Sequence, residues 1–550
     1  MRRFFAFVVA VLALAGCTKV GTQSAGITSE GTTRHAWTQP GVLRIGIQDN
    51  PNTLSPLLAA NTTENMITRL TFDVLISVDE TGKKRVPMLA SEVPTLENGG
   101  ISKDGLTITY KLRHNVKWQD GAPFTSKDVK FTFSAIMNNA NNVVSRRGYD
   151  LVKSVDTPDD FTVVFHMKQK FAPAVDTLFG ESDSPYTILP EHLLAKYPNL
   201  NQVPFNQQPI GTGPFKVAKW IRGDHIELVP NDDYFLGKPK LKSIIIKTIP
   251  DENTMINQLK THEIDWQFEA SPSTYKELKT MSASEVKLLL VDHNGYESIQ
   301  FNTSRPLLKD KRVRQAMAYA IDRAALVEKF TYGSARVATE DLPNFMWAYN
   351  PNVTKYVHDI AKAKSLMAAA GWTPGPDGIL AKNGKKMRVS LVYNQSNSTR
   401  RVASVQIQAM LRDIGVDAQI KTYPASLLFA PYGMGGILQT GKFDLGISGW
   451  FAGIDPDDSS NYLCQMIPPG GYNYTRYCSP QMQAAQAMAL EHYDEATRKK
   501  AYDKIQELLA DDMPQLFLWW PRQIQAINPD FTGFAPNPVT ESWNAYQWSI

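Results

Sequence analysis

Apolar and polar residues alternate through Val42-Leu43-Arg44-Ile45-Gly46-Ile47, and the run opens straight onto Asp49-Asn50-Pro51-Asn52-Thr53-Leu54-Ser55-Pro56, a stretch of turn-forming residues. The pattern predicts a strand feeding a loop, the usual first unit of an α/β domain. Helical spacing takes over from Glu64 to Thr71, and Leu75-Ile76-Ser77-Val78 then leads through Asp79-Glu80-Thr81-Gly82 into Pro87-Met88-Leu89-Ala90. Period-two alternation returns over Leu106 to Leu112. With Val116-Lys117-Trp118 ahead of the turn Gln119-Asp120-Gly121, it predicts two hairpin strands. Thr125 or Ser126 is placed to cap a helix that Asp128 and Val129 open and Met137 ends. Later, Ala361 to Gly371 and Arg400 to Ile414 read as helices, the second feeding a strand at Ala418 to Thr422.

The stretch Phe443 to Cys464 combines a short buried strand, Leu445-Gly446-Ile447, with a break at Ser448-Gly449-Trp450 and a Pro-containing turn bearing Asp455, Asp457 and Asp458. An aromatic wall, permissive backbone and carboxylates at the end of a buried strand suit a ligand crevice in an open α/β sheet. The alternative is a core tryptophan beside a solvated acidic turn, with Asp458 the most solvated of the three.

Residues 1–16 differ in kind from the rest. Arg2 and Arg3 precede the apolar run Phe4 to Ala15, which is too short to span a bilayer and reads as an export signal. Leu14-Ala15-Gly16-Cys17 resembles the bacterial lipobox, so cleavage is expected to leave Cys17 carrying lipid and anchoring the protein to a membrane, with residues 17–39 as a flexible tether. Removing Arg2 and Arg3 leaves 56 basic against 54 acidic side chains, too balanced a charge to attract nucleic acid. A chain of 550 residues calls for two or three domains. Of its three cysteines, Cys464 and Cys478 remain as a pair in an exported chain, which predicts a disulfide across Pro468-Pro469-Gly470-Gly471.

Ordered motifs then carry a resemblance. Lys103-Asp104-Gly105-Leu106-Thr107, Tyr110-Lys111-Leu112-Arg113 and Val116 to Thr125 are followed by Pro209-Ile210-Gly211-Thr212-Gly213-Pro214-Phe215-Lys216. Asn231 to Phe235, Asp265-Trp266, Phe301-Asn302-Thr303 and Val313 to Arg323 come next. In register over roughly residues 40–550, they resemble solute-binding family 5, the oligopeptide and dipeptide receptors of bacterial ABC importers. The resemblance implies an α/β, three-domain Venus-flytrap fold whose two lobes close over a ligand. Domain I would comprise 40–77, 208–302 and 520–550, domain II 78–207 and domain III 303–519, with hinge crossings near Asn302 and Trp520. It also implies an extracytoplasmic, lipid-anchored monomer that delivers a peptide or related polar solute to permease subunits, without a cofactor. The same fold would serve an oligosaccharide, an opine or a metal chelate.

By the resemblance, Gly449, Trp450 and Phe451 line the ligand site. Members that bind dipeptides carry an Asp three residues after this Trp and an Arg earlier in the lobe. Here the first position is Gly453, and Leu391 to Thr399 contains no Arg. That argues against a strict dipeptide site and for longer peptides. Asp455 or Asp457 is the expected substitute for the missing ammonium partner. Asn61 and Thr62 from the first lobe, and Tyr393 and Asn394 at the end of the Val389 to Val392 strand, complete the expected wall.

Enzyme-like patterns fail on spacing. Ser273-x-x-Lys276 lacks its companion motifs, and Gly446-x-Ser448-Gly449 is not a nucleophile elbow. Asp455-x-Asp457-x-Ser459 has Ser460 and Met466 where a calcium loop needs Gly and Glu. The nine histidines form no H-x-x-x-H or H-x-H pair. No catalytic residue and no metal ligand is expected; an exported hydrolase is the remaining alternative of another class.

Overall fold

Two large sheets organise the protein in the computed structural model, which describes residues 34–182, 185–451 and 453–550. The expected signal peptide and Cys17 lie outside these residues, as does most of the tether. The first sheet has seven strands, in the order Lys287–Asp292, Arg522–Ile527, Trp266–Gln267, Val42–Ile47, Ser243–Thr248, His225–Pro230 and Phe215–Ile221. Val42–Ile47 runs parallel to both its neighbours. Its alternation works as the sequence predicts: Leu43, Ile45 and Ile47 enter one core with Trp266 and Trp548. On the opposite face, a Cβ at Gly46 would stand 2.8 Å from Ile264 and 3.2 Å from Met255, so glycine lets the Glu252–Lys260 helix come close.

The second sheet has six strands, in the order Arg336–Val337, Gln515–Trp520, Gly295–Phe301, Leu445–Phe451, Arg388–Asn394 and Asp417–Tyr423. One face packs on the Lys311–Ala320 and Ser398–Asp413 helices through Leu391, Leu445, Ile407 and Leu411. The other packs on Pro480–Glu491 and Glu495–Asp512 through Phe517, Met482, Tyr502 and Ile505. A third unit, between the early strands, holds the three-stranded sheet Thr107–Lys111, Thr162–Met167 and Val152–Asp159. Its helix Ser126–Met137 starts at Thr125 with a reciprocal capping box to Asp128. Val116-Lys117-Trp118 does not extend into a strand there: Lys117 makes a single bridge to Pro123, flanked by bonds from Trp118 N to the Ala122 carbonyl and from Phe124 N to the Val116 carbonyl across the Asp120-Gly121 turn.

Two details differ from the sequence reading. Gly295–Phe301 falls inside the range expected for domain I, yet pairs along its whole length with Leu445–Phe451 of the second sheet. The chain therefore crosses between sheets at 293–294, between Lys287–Asp292 and Gly295–Phe301, and not near Asn302. The other crossing is the single residue Pro521, between Gln515–Trp520 and Arg522–Ile527. Second, the Leu445 strand does not break at Ser448 but runs on to Phe451, because Gly295–Phe301 supplies partners for every residue. Trp37–Ile550 forms one compact unit. No helix among the described residues is long and apolar enough to cross a membrane. The Cys464–Cys478 disulfide is present, with Cα atoms 4.9 Å apart.

Candidate functional site

Register places the wall residues. Gly449 lies opposite Glu297 and Trp450 opposite Tyr296. A Cβ on Gly449 would stand 2.7 Å from Glu297 Oε1 and 3.1 Å from Arg400 Nη2, so this glycine makes room for an ion pair. Arg400, in the first turn of the Ser398–Asp413 helix, donates from Nε and Nη2 to Glu297 at 2.9 and 2.7 Å. The pair borders a cavity of about 190 Å³ whose other wall comes from the first sheet's domain through Ala270, Pro272, Arg522 and Ile524. Neither Arg400 nor Glu297 was singled out in the sequence. Arg400 directly follows the arginine-free stretch Leu391 to Thr399.

Trp450 is half-buried and packs against Tyr472 with ring centroids 5.4 Å apart. Phe451 is 56% exposed and meets the His293 ring edge-on. Trp450 also borders a smaller cavity, of about 30 Å³, together with Arg147, Asp176, Gly453, Asp455 and Asp457. Here every carboxylate expected to face a ligand is already paired. Asp455 is buried and accepts from Arg498 Nη1 and Nη2 at 2.8 and 2.7 Å. Asp457 accepts from Arg147 Nη2 at 2.5 Å and from the Ser459 N–H at 3.0 Å. Asp176 binds Arg85 through both oxygens at 2.6 Å. Asp458 is not solvated but buried, accepting from Gln486 at 2.7 Å beside Asp341. Burial raises both carboxyls; Glu340 adds to the rise of Asp341, to about 7, and Asp341 adds to that of Asp458.

Gly453 occupies a different kind of position. A Cβ there would stand 2.6 Å from the Glu181 carbonyl oxygen and 2.7 Å from Ser182 Cα, and Ile454 N donates to that same carbonyl at 3.0 Å. Main chain of the 78–207 segment thus fills the space that a side chain at 453 would need. Arg147 belongs to the same segment, so its pair with Asp457 spans the same junction.

The remaining expected residues divide. Asn61 caps the Thr62–Thr71 helix by accepting from the Glu64 N–H, which engages its side chain structurally. Thr62 donates to Glu269 at 2.8 Å. Burial, with the Glu269 carboxyl nearby, raises Glu541 to about 8. Tyr393 does not face a cavity: it is 3% exposed, because it shares a strand face with Val389 and Leu391, and that face is core. Asn394 accepts from the Ser396 N–H and hydroxyl in the following turn. Among the described residues no three His, Cys, Asp or Glu side chains converge as a metal site.

Residues 84–472 match the model of the bacterial extracellular solute-binding proteins, family 5. The oligopeptide-binding protein AppA of Bacillus subtilis is 30% identical over 517 residues, covering 93% of this chain and 92% of that protein. Its structure with a nonapeptide aligns with TM-score 0.74 at 29% identity, over 93% of this chain and 99% of that one. NikZ of Campylobacter jejuni, solved with Ni(L-His), aligns with TM-score 0.76 at 28% identity, over 93% of this chain and 100% of that one.

Proposed function

Because the chain belongs to the bacterial extracellular solute-binding proteins of family 5, we propose that it is the receptor of an ABC importer, capturing oligopeptides outside the membrane and delivering them to the permease. The observation that carries the peptide reading is the 30% identity to an oligopeptide-binding protein over nearly the full length of both chains. In this reading the two large sheets belong to lobes that move about 293–294 and Pro521, the three-domain division follows the sheets, and the small unit within 78–207 closes on the second lobe. Contacts made by both lobes exist only when closed, so a ligand bridging them favours closure by population shift. Lipid at Cys17 would keep the receptor near its permease. Ligand-facing roles for Gly449, Trp450 and Phe451 belong to the same reading, with Gly449 acting through the ion pair it accommodates.

Native mass spectrometry of the purified protein, followed by release and sequencing of whatever co-purifies, tests the reading. Peptides longer than two residues are the expected result; sugars alone would refute it. A second reading, a metal chelate of an amino acid, has one observation in its favour: the likeness to the Campylobacter protein solved with Ni(L-His). Recovery of nickel with histidine and no peptide would establish that alternative.

A further inference from the structure

We infer that the turn joining the Pro480–Glu491 and Glu495–Asp512 helices is a clasp, built wholly from protein, that holds the small unit within 78–207 against the second lobe and sets how much of the receptor is closed before any solute binds. Tyr493 is its positioning residue. The inference rests on the two-lobe closure proposed above and names contacts that bias it.

Polar contacts cross between the lobes at this turn. The Leu490 carbonyl accepts from Ala172 N at 2.7 Å. The Tyr493 hydroxyl donates to the Gly105 carbonyl at 2.9 Å and accepts from Phe171 N at 3.4 Å. Leu490 and Tyr493 also pack against the small unit's apolar core, although the helices beside them bury Met482, Tyr502 and Ile505 in the second lobe. Gly105 shapes the receiving side. Its φ of +70° is one that L side chains rarely adopt, and a Cβ there would stand 2.6 Å from Tyr493 Cε2, so glycine is what lets the ring seat. The projecting side is stiff. Asp494 caps the Glu495–Asp512 helix by accepting from Thr497 N. Arg498 donates from Nε to the Ala489 carbonyl at 2.9 Å while its Nη atoms hold Asp455. The turn therefore moves with the second lobe, and its fit in the socket is lost when the lobes part.

Leu490, Tyr493 and Gly105 line neither the cavity beside Arg400 nor the one beside Trp450. The contacts of Asp457 with Arg147 and of Ile454 with Glu181 cross the same junction, but they flank Trp450, at the wall assigned to the solute. The clasp contributes equally whatever is bound. When the binding-competent form is only partly populated, apparent affinity is scaled by its fraction. The clasp thus scales affinity for all solutes alike and leaves selectivity unchanged.

Hydrogen–deuterium exchange on the full-length protein freed of bound solute tests this through the Ala172 amide, whose acceptor lies on the other lobe. Tyr493→Ala is expected to speed its exchange about tenfold, as loss of one net hydrogen bond with its packing implies. The Ile45 and Leu391 amides, inside the two large sheets, should keep their wild-type rates, and small-angle scattering should show a larger radius of gyration. Should that variant not fold, Tyr493→Phe, which keeps the ring and removes the hydroxyl, is expected to speed Ala172 about threefold. An unchanged Ala172 rate in the folded variant overturns the clasp. So does an equal rise at Ile45 and Leu391, which would show a loss of global stability alone. A saturating random pentapeptide library is then added to the wild type. Slower exchange at Ala172 supports closure on peptides; no slowing refutes the peptide reading and leaves the clasp to stand on the solute-free result.

Discussion

Two of the cavities beside the Leu445–Phe451 strand are lined by charged side chains that stand in different states. Around the smaller one, Asp455 is matched by Arg498, Asp457 by Arg147 and Asp176 by Arg85. Around the larger one, the Arg400–Glu297 pair leaves guanidinium donors open. A carboxylate near a crevice is therefore a poor indicator of ligand contact until its own partners are counted. The charges of the first wall are taken up by one another, while the second keeps guanidinium donors open.

The largest expected effect comes from breaking the first wall. Asp455→Ala leaves Arg498 buried without its counter-charge, which should destabilise folding by about 3–5 kcal/mol, measured by urea denaturation. A loss too small to resolve would mean that Asp455 is available to a ligand after all. Next in size, replacing Cys464 and Cys478 with serine reopens a loop of sequence separation 14 and should remove about 3 kcal/mol in the chain-entropy picture. An unchanged denaturation midpoint would show that the loop beside this wall needs no staple.

Much of this was readable locally. The Val42–Ile47 strand follows from period-two alternation, and the Thr125–Asp128 capping box from two residues three apart, because both structures are decided by near neighbours. Tyr393 was legible by parity, since it shares the face of Val389 and Leu391, which only a buried strand face would make uniformly apolar. What could not be read was pairing at a distance. Arg400 meets Glu297 across 103 residues, and Arg498 meets Asp455 across 43. No spacing rule links such positions, so carboxylates already paired looked available and an arginine at the cavity went unseen. Sheet membership of Gly295–Phe301 failed for the same reason: the residues specify a strand, but which sheet receives it depends on the partner.

Smaller effects sharpen the contrast. Gly453→Asp forces a side chain into the space held by Glu181 and Ser182, so closure should weaken and affinity for every ligand fall about tenfold, equivalent to about 1.4 kcal/mol. Titration calorimetry on acid and amide peptides checks this; a gain in affinity for either would mark residue 453 as a ligand contact. A separate pH effect is expected from Glu541, a buried carboxyl with no cationic partner among the described residues. Burial, with Glu269 beside it, raises Glu541 from 4.5 to about 8. Between those values the folded protein holds a proton that the unfolded chain has released, so stability falls as pH rises through the window. Glu541→Gln should flatten the fall in melting temperature, and an equally steep curve would show that Glu541 is not its source.

The contrast between the walls is tested most directly by measuring one ratio, the affinity for a peptide acid over its amide, in Asp457→Asn and Arg400→Gln side by side. The account predicts that Asp457→Asn weakens both affinities together and leaves the ratio at its wild-type value, while Arg400→Gln collapses the ratio towards one. A ratio that collapses in Asp457→Asn and persists in Arg400→Gln would contradict it.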